Sequence, residues 1–128
     1  MTTQLVDLNF GLQQLANNRE LLFRMYGKFV EDHGRHGDDI RSLITEQQFE
    51  EARAQFHTIK GVAGNLGLNY LFGVCKQFDE AIKSGHTENL LQDFKQFETG
   101  LADTVNELNK IIANDETPQA SVGTPAAS

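Results

Sequence analysis

Residues 45–67 read TEQQFEEARAQFHTIKGVAGNLG. Within them Phe49, Ala52, Phe56, Ile59, Ala63 and Leu66 recur at steps of three and four, the period of an α-helix with one buried side. Thr45 followed by Gln48 has the form of a capping box at the start of that helix. Gly67 has the form of its C-terminal stop. The stretch therefore predicts an amphipathic helix, and the same period continues outward in both directions.

Upstream, a short opening helix near Asp7 to Ala16 is followed by a second segment carrying Leu22, Met25, Phe29, Ile40 and Leu43, with Gly34 and Gly37 weakening its middle. Downstream, Leu71, Val74, Phe78 and Ile82 form a stripe that Gly85 ends. From about Glu88 a last segment carries Leu90, Phe94, Phe97, Leu101, Val105, Leu108 and Ile112, with Thr87 where an N-cap is wanted. No stretch alternates apolar and polar residues as a half-buried strand does. Both prolines, Pro118 and Pro125, fall in ETPQASVGTPAAS, residues 116–128, a small, polar stretch that reads as a disordered tail. The expected fold is all-α: an antiparallel four-helix bundle with a short extra N-terminal helix. It would occupy one domain over residues 1–115, followed by the tail.

The chain has 128 residues, and its 18 acidic against 11 basic side chains give a formal charge of -7. That balance argues against nucleic acid and against anionic membrane surfaces, both of which select basic faces. No run approaches the length of a membrane span. Met1-Thr2-Thr3-Gln4 has neither the basic flank nor the apolar stretch of a signal peptide. A single cysteine, Cys75, suits a reducing compartment. The expectation is a cytoplasmic protein, with the initial methionine and polar tail favouring a free-standing chain.

Glycine is the anomaly. Gly27, Gly61, Gly64, Gly73 and Gly100 fall inside predicted helices, each destabilising by about 0.5–1 kcal/mol relative to alanine. Two of them share a face with reactive side chains. One position round from the apolar stripe, Arg53, His57, Lys60, Gly61 and Gly64 align at spacings of three and four. An imidazole thus stands beside the buried stripe, with a lysine one turn on and little bulk around it. A close approach by another molecule would explain glycine there.

The string HTIKGVAGNLG, residues 57–67, resembles the signature of histidine-containing phosphotransfer domains: His-x-x-Lys-Gly, then Gly six residues later. The likeness extends roughly from Asp7 to Ile112, through EEARAQF before the motif, LNYLFGVCKQFDEAIKSG after it and the long final helix. The resemblance implies that His57 takes a phosphoryl group from an aspartyl phosphate of a receiver domain and returns it to the same or another receiver. It implies that Lys60 stabilises the phosphoryl oxygens and that Gly61 and Gly64 let the receiver approach. It also implies a partner from the next helix to orient the imidazole, where glutamine or glutamate is usual. Asp79, shorter than either, falls at that place, with Gln77 and Glu80 as alternatives. The resemblance implies no cofactor of the chain's own, since Mg2+ would arrive with the receiver. A monomer suits a shuttle serving successive partners. Arg53 is either a receiver contact or part of a solvated face.

The sequence has no glycine-rich nucleotide loop and no room for an ATP-binding domain, so kinase activity of its own is not expected. His33 and His36 stand near Asp32, Asp38 and Asp39, but two glycines and an arginine interrupt them, and no distant ligand completes a zinc set. They read as a polar stretch between helical pieces. His86 reads as a turn residue, and Cys75 as a small core residue. The rival to the relay is a helical adaptor in which His57 is incidental. A metal-centred bundle needs inward histidines and carboxylates that these apolar stripes lack.

Overall fold

A computed structural model describes residues 5–33 and 36–114. Among them are six helices and no strand: α1 (Leu8–Gln14), α2 (Arg19–His33), α3 (His36–Thr45), α4 (Phe49–Leu66), α5 (Asn69–Lys83) and α6 (Leu90–Ala113). The second segment expected from the apolar pattern is two helices, α2 and α3. Phe29 and Ile40 are both buried, but the positions between them carry acidic residues, histidines and glycines, so no apolar stripe holds a single helix through them. Gly34 and Arg35 lie outside the described residues, as do the side chain of His33 and the expected tail.

Four helix ends close in one way. After α4, Gly67 takes the left-handed conformation at φ 75°, and the N–H of Leu68 donates to the carbonyl of Ala63 at 2.9 Å. After α5, Gly85 does the same at φ 80°, with His86 donating to Ala81 at 2.8 Å. These are Schellman closures, which satisfy carbonyls the helix leaves open. Gly67 and Gly85 act as the sequence suggests. The ends of α1 and α3 close alike without glycine, through Ala16 at φ 55° and Gln47 at φ 60°.

The α3 closure also overturns the capping box. Thr45 is the last residue of α3, its hydroxyl donates back to the Arg41 carbonyl at 2.8 Å, and the N-cap of α4 is Gln48, whose side chain caps nothing. The short turn leaves Thr45 no access to the start of α4. Thr87 is likewise displaced, because α6 begins after Asn89. The opening helix starts as anticipated: Asp7 caps α1 by accepting from the Phe10 N–H at 3.0 Å.

The core sets the helix registers. Phe56 of α4 stacks on Phe78 of α5 with centroids 4.8 Å apart, and meets Phe97 of α6 edge-on at 5.4 Å. Phe94 stacks on Phe97 at 5.2 Å. Such pairs add about 0.5–1.5 kcal/mol each beyond their burial. Truncating Phe56, which is fully buried, would cost about 3–5 kcal/mol. At the corner between α4 and α5, the Asp7 N–H donates to the Gly67 carbonyl at 2.7 Å. A Cβ at Gly67 would run into the Asp7 carbonyl. Gly100 is explained from within the chain, for the Tyr70 ring occupies the space its side chain would fill.

Candidate functional site

Stacking of Phe56 on Phe78 fixes how α4 faces α5, and the residue after each ring inherits the register. Those residues are His57 and Asp79. Nδ1 of His57 lies 3.6 Å from Oδ2 of Asp79, somewhat beyond the 2.7–3.2 Å of a formed hydrogen bond. Lys60, one turn further along α4, donates through Nζ to the same oxygen at 3.3 Å. Arg53, one turn before His57, donates through Nε to the other oxygen at 2.8 Å. Three side chains of α4 thus converge on one carboxylate of α5.

Exposure is least at that carboxylate and greatest at the imidazole. The Asp79 side chain is 11% exposed, Lys60 24%, Arg53 35% and His57 69%. Burial alone would push the Asp79 carboxyl up. The hydrogen bonds from Arg53 and Lys60 and the nearby imidazole outweigh it, so the group sits below the usual aspartate range. A paired, ionised carboxylate at the base of the site therefore faces Nδ1, while Nε2 lies across the ring from it.

The alternatives for the imidazole partner are placed elsewhere. Gln77 lines a cleft with Phe78, Leu90 and Asp93, between α5 and the start of α6, and Glu80 is exposed. The two glycines of the reactive face differ. A Cβ at Gly61 would meet nothing within 4 Å. A Cβ at Gly64 would come within 3.3 Å of the Phe72 ring, so this glycine seats a side chain of its own protein. Phe72 is 39% exposed, one of the few large apolar side chains left at the surface. Sequence reading passed over it because it stands beside the α5 stripe and carries no reactive group.

Cys75 is buried. Burial pushes its thiol up to about 12 against the opposing pull of Lys60, which keeps it an unreactive thiol. Among the described residues no group of three or more His, Cys, Asp or Glu is placed to hold a metal ion. No helix among them is long and apolar enough to cross a membrane.

A family model described as the Hpt domain matches residues 24–113, well over half of the chain. The chain belongs to the Hpt domain family. Hpt domains act in histidine phosphotransfer within phosphorelays and interact with receiver domains of phosphorelay proteins. The matched span of this Hpt domain starts inside α2 and ends with α6, so it contains the whole convergence on Asp79, while α1 precedes it. Searches of curated proteins and of solved structures gave no match.

Proposed function

We propose that His57 is the phosphoacceptor of a two-component phosphorelay, receiving its phosphoryl group from a receiver-domain aspartyl phosphate and passing it to a second receiver. The Nδ1–H tautomer directs its proton at Asp79 and leaves the lone pair on Nε2. That pair attacks phosphorus in line. The Nε2–P bond forms, the acyl oxygen–P bond breaks, and the electrons leave on the receiver's carboxylate. Transfer of this kind depends on positioning and charge stabilisation. Lys60 is one turn from the ring and supplies a cation for the phosphoryl oxygens, Gly61 leaves room for the receiver, and Mg2+ comes with that receiver. In this reading the long helices α2, α4, α5 and α6 pack as an antiparallel four-helix bundle, within one folded unit that ends with α6. The chain draws its phosphate from protein rather than from ATP, and works as a cytoplasmic monomer.

The observation that carries this reading is a well-exposed imidazole whose Nδ1 faces a buried, ionised carboxylate while a lysine stands one turn away. Incubation with a phosphorylated receiver should label the protein, and His57→Gln should abolish labelling. Undiminished labelling of that variant would remove His57 from the chemistry. An adaptor would keep its partner affinity and its output without the imidazole, so the same variant separates the two functions.

A further inference from the structure

We propose that Arg53 is a positioning residue for phosphorylation of His57, acting through Asp79 rather than by touching the receiver. The inference rests on His57 being the phosphoacceptor. Three α4 side chains share one carboxylate, but they do not share it equally. Arg53 alone holds Oδ1, at 2.8 Å, while Lys60 and His57 both face Oδ2, at 3.3 and 3.6 Å. The arginine sets the carboxylate plane, and that plane decides which oxygen the imidazole sees. Its outer end also comes within 3.5 Å of the exposed Glu50 carboxylate.

The chemistry gives that division a purpose. Attack by a neutral ring carrying its proton on Nδ1 creates an Nε2–P bond with no proton moving, so the phosphorylated ring carries positive charge shared with Nδ1. A carboxylate facing Nδ1 stabilises this product more than the starting ring. At the same moment Lys60 is drawn toward the phosphoryl oxygens and away from Oδ2. Asp79 then needs another counter-ion to stay ionised and oriented, and Arg53, on the opposite oxygen, remains in place. Lys60 is the cation that moves and Arg53 the cation that stays.

Two measurements on the full chain test this without any receiver. Long-range 15N NMR of the unphosphorylated protein reads the His57 tautomer. Phosphoramidate, a small phosphodonor that presents no docking surface, reads the rate of phosphorylation. Arg53→Gln should shift the ring from the Nδ1–H form toward the Nε2–H form that an unconstrained imidazole prefers. It should also slow phosphoramidate labelling roughly tenfold, as expected for loss of a charge-assisted hydrogen bond. Arg53→Lys keeps a cation beside Oδ1 and should stay within about threefold of the parent rate. In an Asp79→Asn background the glutamine substitution should change neither reading further. An unchanged tautomer and rate in Arg53→Gln would overturn the proposal, and so would an equal slowing with and without Asp79. Failure of phosphorylated receivers to label the parent protein would instead overturn the relay reading, and neither measurement here depends on a receiver.

Discussion

Arg41 on α3 and Arg53 on α4 each reach a carboxylate on a neighbouring helix, yet the two pairs are built to different ends. Arg41 meets Glu98 of α6 through two nitrogens, Nε donating to Oε2 at 2.9 Å and Nη2 to Oε1, and its guanidinium lies 5.6 Å over the Phe94 ring. Both oxygens are engaged by one partner, the fork geometry that suits arginine to a fixed pin. Arg53 meets Asp79 through Nε alone and leaves the second oxygen to Lys60 and the imidazole. A carboxylate with both oxygens taken by one arginine is finished, whereas one whose arginine takes a single oxygen keeps the other for partners that come and go. The closed pair belongs to the scaffold and the open pair to the site.

Removing each carboxylate breaks the comparison most sharply. Asp79→Ala should lower phosphotransfer by about 10- to 100-fold, because it strips the imidazole of its partner and takes from Arg53 and Lys60 the carboxylate on which they converge. Glu98→Ala should leave the transfer rate within about twofold and lower the melting temperature by a few degrees, since that pair is partly exposed and screened. Rates from a phosphorylated receiver, with melts of both variants, provide the check. An equal loss of transfer in the two would mean that neither pair is special to the chemistry.

The scaffold was far more legible in the sequence than the site. The apolar stripes of α4, α5 and α6 are buried or, at Phe49, Val105 and Ile112, partly buried against the core, as their spacing indicates, because a helical period is a local property that one chain segment carries by itself. Gly67 and Gly85 were readable as stops for the same reason. Ala16 and Gln47 were not, since neither residue favours the left-handed region and only the surrounding structure holds them there. Thr45 fits a cap by its local pattern, while the chain uses it to finish the helix before. The site lay one step further from view. His57, Lys60 and Gly61 share a helix face and their alignment is written in their spacing. That Arg53 and Lys60 also close on Asp79 depends on the α4–α5 register, which the Phe56–Phe78 stack sets and no spacing rule records.

Acid sharpens the contrast from the electrostatic side. Asp79 titrates below the ordinary aspartate range, so its ionised form contributes stability that is fully present above about pH 4 and is lost as the pH falls through the lowered value. Asp79→Asn removes that contribution at every pH. The gap in melting temperature between parent and variant should therefore be constant near neutrality and narrow as the pH falls below about 4. A gap that does not narrow would mean that the carboxylate gains nothing from its cations on folding.

The smallest expected effect separates the surroundings of the two pairs. Gly37 stands one turn before Arg41, and a Cβ there would make ordinary contact with Glu98 at 3.9 Å and Leu101 at 4.0 Å. Gly61 stands one turn after His57, and a Cβ there would meet nothing within 4 Å. Alanine at Gly61 should raise stability by up to about 1 kcal/mol through helix propensity alone. Near the first turn of α3, alanine at Gly37 should gain less from propensity and add its contacts with Glu98 and Leu101. The fold thus forgoes at Gly61 a stabilisation that nothing among the described residues prevents. If that space is kept for the receiver, Gly61→Leu should fold at least as well as the parent and bind a receiver several-fold more weakly, while Gly37→Ala leaves receiver affinity unchanged. Titration calorimetry beside thermal melts reads both quantities. Receiver binding by Gly61→Leu equal to that of the parent would show that the open surface beside His57 is not where the partner lands.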